Sequence, residues 1–156
     1  MKILATIENV NIIELEDGSV TWTSHARIDD DGSDNRGHDK YWQPGTSLLH
    51  NGKPVDSEAV PGIVVPPLIL MAVAGVVLGC KAEVTRKGVT TDAVVFDVGP
   101  HNKIGEMSPE CARRLNISGD PNTGGDDDLD ITYQIWPGVP ACIDGETFEL
   151  QPYRQS

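Results

Sequence analysis

The chain has 156 residues, with 12 basic against 24 acidic side chains, a net charge of −12 and a pI near 4.5. That length holds one domain with a real core and is short for two, while the charge repels phosphate backbones, disfavours nucleic acid and suits a polycationic partner. Three cysteines, Cys80, Cys111 and Cys142, form an odd set without C-x-x-C spacing, so reduced thiols are expected and no disulfide framework.

In chain order, Ile3 to Ile7 and Val10 to Leu15 are short apolar runs about a turn at Glu8-Asn9, and Asp17-Gly18 signals a hairpin before Val20 to Trp22. From Asp29 to Gly45 the chain is rich in Asp, Gly, Asn and Ser, which predicts a long irregular loop of the kind that often carries function. Aromatic Trp42 beside Asp29, Asp31, Asp34 and Asp39 suits sugar binding, by stacking on a pyranose face and binding amines or hydroxyls; the alternative is that Trp42 plugs the loop onto the core. Gly62 to Pro66 reads as a strand and Leu68 to Ala74 as a short helix. The apolar stretch Ile63 to Leu78 is broken by Pro66 and Pro67, and its uninterrupted part falls short of the ~20 residues a membrane span needs.

Val76 to Val84 and Thr90 to Phe96 are expected to be strands joined at Arg86-Lys87-Gly88, a hairpin that delivers Asp97. Gly99-Pro100 then breaks the extended pattern. A helix restarts at Ser108: Ser108 is a good N-cap, Pro109 suits the first helical position, Glu110 favours the positive end of the dipole, and Asn116 ends it. Ser118 to Asp130 is loop-like, with Asp126 to Asp128 placed to rim a cleft; Ile131 to Trp136 alternates as a half-buried strand, and Thr147 to Leu150 is a final strand closing the sheet. The first residues, MKILATIENV, lack a long apolar signal region, so synthesis in the cytoplasm is expected, with the site of action, which includes an extracellular space or a host cell wall, left open.

The chemistry concentrates between Val94 and Ile117, where Asp97 and Glu106 flank the Gly-Pro turn. Two carboxylates on rigid elements in different surroundings can divide acid and base duties, as glycoside hydrolysis requires. His101 and Lys103 lie between them, placed to bind substrate or to hold a neighbouring carboxylate ionised, or else to stand as exposed turn residues. Metal sites find little support. Aligning Gly32 with the EF-hand glycine puts Arg27 at the first ligand position and His38 at the twelfth, where acids are required, which leaves only an irregular calcium site open. His25, His38, His50 and His101 are scattered without zinc spacing. No Walker A, dinucleotide fingerprint or G-x-S-x-G elbow occurs, so neither a cofactor nor acyl transfer is expected.

Several segments together resemble the fungal-type chitosanases of glycoside hydrolase family 75: Ile28-Asp29-Asp30-Asp31-Gly32, Thr46-Ser47, Val60-Pro61-Gly62-Ile63-Val64-Val65-Pro66, Asp97-Val98-Gly99-Pro100 and Ile104-Gly105-Glu106-Met107-Ser108. Family members usually carry a Cys in the acidic segment, where this chain has Asp30. The Asp-x-Gly-Pro turn and Ser-led helix also look like the double-psi β-barrel of bacterial septal lipoproteins and related wall-active glycosidases. The resemblance implies a single mainly β domain over residues 1–156, a six-stranded double-psi β-barrel with one or two short helices. It further implies inverting endo-hydrolysis of a β-1,4-linked amino-sugar polymer, with Asp97 as general acid and Glu106 as general base, roles that are open to exchange. Asp29, Asp31, Trp42, Thr46, His101 and Lys103 are the expected substrate-binding set, with Thr46-Ser47 serving either the substrate or the barrel's own hydrogen bonds. The rival readings are a peptidoglycan hydrolase or lytic transglycosylase from a phage or secretion system, and a non-catalytic glycan-binding or structural barrel.

Overall fold

The computed structural model describes residues 1–32 and 46–153. It is mainly β, with strands β1 (Lys2–Ile7), β2 (Val10–Glu14), β3 (Val20–Ile28), β4 (Leu49–His50), β5 (Lys53–Pro54), β6 (Gly62–Val65), β7 (Cys80–Arg86), β8 (Val89–Val98), β9 (Glu106–Met107), β10 (Asp126–Pro140), β11 (Cys142–Ile143) and β12 (Glu146–Thr147). Two short helices, α1 (Pro67–Ala72) and α2 (Pro109–Arg114), complete it. The expected Asp34, His38, Asp39 and Trp42 lie outside the described residues.

Six strands close into a mixed barrel in the order β3-β10-β7-β8-β6-β9, and β9 returns to β3. Most pairings are antiparallel; β6–β8 and β3–β9 are parallel. β2 pairs with the start of β3 at Thr21 and Val20, and the two-residue β9 pairs at Arg27 and Ile28. The β1–β2 hairpin is thus carried alongside the barrel rather than into it. Its turn uses left-handed backbone at Glu8 (φ 52°) and Asn9 (φ 63°), the tight geometry whose twist matches a hairpin.

Alternation along β3 and β10 sends Trp22, Ile131, Tyr133 and Ile135 into the core. Trp22 and Tyr133 stack there with ring centroids 5.0 Å apart, and Tyr133 Oη donates to the His25 carbonyl at 2.9 Å. β6 and the end of β8 are buried on both faces, which is why Ile63 to Val65 and Ala93 to Phe96 read as continuous apolar runs rather than as an alternation.

Four expected boundaries move. β7 starts at Cys80 rather than Val76, because Gly75 (φ 90°) and Gly79 (φ 92°) turn the chain, and a Cβ at Gly79 would sit 2.3 Å from the Glu149 carbonyl. β10 starts at Asp126 rather than after Asp130: the acidic run is extended, with a register break between Asp126 and Ile131. α1 stops at Ala72, two residues before the expected end. Thr147 to Leu150 does not close the barrel; only Glu146–Thr147 is a strand, paired with β11, and Gln151 bridges Leu78. Closure falls instead to β9, too short to show a period in sequence. Among the described residues, no helix is long and apolar enough to cross a membrane, and Cys80, Cys111 and Cys142 are free thiols.

Candidate functional site

One cleft of about 700 Å³ opens at the end of the barrel where β3, β8 and β9 finish. Its charged lining is Asp29, Asp31, Asp97, Glu106 and Asp127 against Arg27 and Lys103. Five carboxyl groups facing two cations make it an acidic cavity, suited to a ligand carrying positive charge.

The sheet register places Asp97 and Glu106. Val64 of β6 pairs with Asp97 on one side and with Glu106 on the other, and Glu106 pairs in turn with Arg27. Asp97, Val64, Glu106 and Arg27 therefore form one row across four strands. Two strand spacings separate the Asp97 and Glu106 backbones, about 9.6 Å, and the two side chains line the same cavity.

Each acid is fixed by local sequence. Asp97 Oδ1 accepts from Ser47 Oγ (2.8 Å), Ser47 N (3.1 Å) and Val98 N (3.0 Å), so the 46–48 segment holds the carboxylate in place. Glu106 lies against Gly99, where a Cβ would come within 2.7 Å of Glu106 Oε2. Gly105 has φ 85° and passes so close to the His25 carbonyl that a Cβ would sit 2.5 Å away. The two glycines of the Asp-x-Gly-Pro and Ile-Gly-Glu segments thus leave room for the acid and for the strand that carries it. Ser108 caps α2 by accepting from Cys111 N (3.2 Å), and the same hydroxyl donates to the Val60 carbonyl (2.8 Å) and accepts from Gly62 N (2.8 Å). One side chain therefore fastens the helix that follows Glu106 to β6.

Electrostatics divides the acids. Asp29, Asp31 and Asp97 bring carboxyl oxygens within 4.8 Å of one another, a crowding that penalises full ionisation. Burial first, then the charges of Asp97 and Asp31, push Asp29 up to about 9. Glu106 is also raised, first by burial, with the Arg27 guanidinium pulling the other way. The cleft therefore offers a carboxyl that keeps a proton at neutral pH beside Asp97, and, across Val64, a carboxylate with raised proton affinity.

Of the expected substrate-binding residues, Asp29, Asp31 and Lys103 line the cleft with Asp97 and Glu106. His101 sits on the exposed turn after Pro100 and is not part of the lining. Thr46 is buried: its hydroxyl donates to the Leu48 carbonyl (3.0 Å) and accepts from Val55 N (3.1 Å), the barrel-bonding alternative for this residue. Trp42 lies outside the described residues. Sequence reading missed Arg27 and Glu8 as site residues. Glu8 Oε1 and Oε2 accept from the two terminal nitrogens of Arg27 at 2.9 and 2.8 Å, and Oε1 also accepts from Ile104 N at 2.9 Å. The only hint of this was a charged residue at a hairpin tip.

Asp29, Asp31 and Asp97 place oxygens within 4.8 Å of one another, as do Asp126, Asp128 and Asp130. Proximity alone does not make either a metal site: in the first cluster burial raises Asp29, and in the second Arg86 pairs with Asp126. Compared with known proteins, the chain matches no protein-family model, and no curated protein matches it in sequence.

Proposed function

We propose that the cleft is the active site of an inverting glycoside hydrolase acting on a β-1,4-linked amino-sugar polymer. The observation that carries this reading is the row Asp97–Val64–Glu106, which brings two carboxyl groups into the lining of one cavity. Inverting hydrolysis needs carboxyls ~6.5 to 9.5 Å apart so that a water fits opposite the leaving group, and a pair carried on strands two spacings apart, with Val64 between them, supports that arrangement. The closed six-stranded mixed barrel is compatible with the double-psi topology of the enzymes the motifs resemble.

In this mechanism Asp97 acts as the acid that protonates the leaving glycosidic oxygen, beside Asp29, whose own carboxyl is raised by burial. Glu106, raised by burial yet kept available as a base by Arg27, takes a proton from the attacking water. Ser47 holds Asp97 at its working angle through two hydrogen bonds. A polymer of protonated glucosamine complements the acidic lining, which besides Asp97 and Glu106 includes Asp29, Asp31 and Asp127.

Incubating the protein with chitosan, chitin and peptidoglycan and reading the products by mass tests this. Reducing glucosamine oligomers from chitosan are expected. An anhydro sugar from peptidoglycan would assign a lytic transglycosylase instead, and glycan binding without cleavage a non-catalytic barrel.

A further inference from the structure

Glu8 stands 96 residues before Ile104 in sequence, yet its carboxylate is committed to the segment that presents Glu106. Three donors converge on it, and the Arg27 guanidinium, its strongest partner, holds its carboxyl down at about 2. It reaches them from the left-handed tip of the β1–β2 hairpin, a position that nothing in the barrel's closure requires.

Arg27 is also the register partner of Glu106 and the main influence opposing the upward push of burial on it. Its side chain is 43% exposed, so its position depends on what it binds. Both terminal nitrogens are taken by Glu8 in a bidentate fork, the geometry that fixes a guanidinium most firmly. The backbone is fixed together with the charge: Ile104 N is bound to Glu8, and Arg27 N donates to the Gly105 carbonyl at 2.8 Å.

We infer that Glu8 is a positioning residue for the cleft: by taking both terminal nitrogens of Arg27 and the Ile104 N–H, it sets how closely a positive charge approaches Glu106. The chemical consequence rests on the hydrolase reading; the positioning does not. The other charged groups facing Glu106 are Asp97 on β8, Asp29 and Asp31 after β3, Lys103 before β9 and Asp127 on β10, while His25 Nε2 lies 3.9 Å from Glu8. None of these binds the Arg27 fork among the described residues.

Two effects of the substitution Glu8→Gln have the same sign. It removes a negative charge that raises Glu106, and it releases Arg27 to approach Glu106 more closely, while the amide oxygen still accepts from Ile104 N. The Glu106 carboxyl, followed by carbon NMR across a pH titration of the full chain, is therefore expected to titrate at lower pH in E8Q than in the wild type, and at higher pH in R27Q. If the chain cleaves glycan, the acidic limb of its pH–rate profile moves the same way. An unmoved or raised midpoint in E8Q, even with a lower melting temperature, means that Glu8 is merely structural and overturns the proposal. An unmoved or lowered midpoint in R27Q overturns it too, and remains measurable should E8Q not fold. A wild-type chain that cuts no glycan would sink the hydrolase reading while leaving both titrations decisive for this one.

Discussion

Two acidic clusters of the same size have different surroundings. Asp126, Asp128 and Asp130 crowd together on β10, as Asp29, Asp31 and Asp97 do at the cleft. In the first, Arg86 Nε donates to Asp126 Oδ2 at 2.8 Å and lies 4.0 Å from Asp130, and its Nη1 donates to the Leu115 carbonyl at 3.2 Å. Asp126 is held below its usual range by its hydrogen bonds to Asp128 N and Arg86, against the cost of burial. At the cleft the Arg27 guanidinium is committed to Glu8, and burial with the neighbouring charges of Asp97 and Asp31 pushes Asp29 up instead. The Arg86 cation lowers Asp126, while burial and Asp126 itself still raise Asp130, so the two clusters differ in degree of burial and in their partners.

The largest expected effect separates the clusters by function. Asp97→Asn or Glu106→Gln should each lower turnover on chitosan by about 10²- to 10⁴-fold, as loss of an acid–base group does, whereas Asp128→Asn should leave it near wild type; steady-state rates on the three proteins check this. Next comes Gly99→Ala, whose new methyl would sit 2.7 Å from Glu106 Oε2. Displacing that carboxylate is expected to cost about 10²-fold in kcat, with the fold intact by circular dichroism.

Asp29→Asn sharpens the contrast through stability. The folded chain keeps on Asp29 a proton that the unfolded chain releases near pH 3.8, so this group's contribution to stability is fully present below 3.8 and is lost as pH rises through about 9. At pH 7 the asparagine variant, freed from that cost, should melt higher by roughly 2 to 4 °C, about 1 kcal/mol in a chain of this size, while its activity falls. The gain should vanish below pH 4 in calorimetry. Arg86→Gln is the mirror experiment: it strands Asp126 and Asp130 without their cation and should lower stability by about 1 to 2 kcal/mol, with catalytic pH dependence unchanged.

How far the sequence could be read follows from the range of the forces involved. The Ser108-Pro109 cap, the Glu8-Asn9 turn and the alternation from Ile131 to Trp136 are local effects and were legible residue by residue. β9 was not, since two residues have no period, although it closes the barrel and carries Glu106. The acidic run at Asp126 resembled a solvated loop because composition does not reveal a guanidinium 40 residues away. Asp97 and Glu106 stood out as a pair, and the cleft joins them; that Asp29 is raised by burial beside Asp97, and that Glu8 reaches Ile104, depend on tertiary placement alone.

The proposed inverting use of Asp97 and Glu106, set on either side of Val64 in one cleft, is most directly tested by proton NMR of the first sugar released from chitosan. Early appearance of the α-anomer from this β-linked polymer is the predicted result, because the base then acts through water on the opposite face of the ring. A β-anomer formed first would mean that the two carboxyls act at the shorter distance of a covalent mechanism, and would contradict the geometry described above.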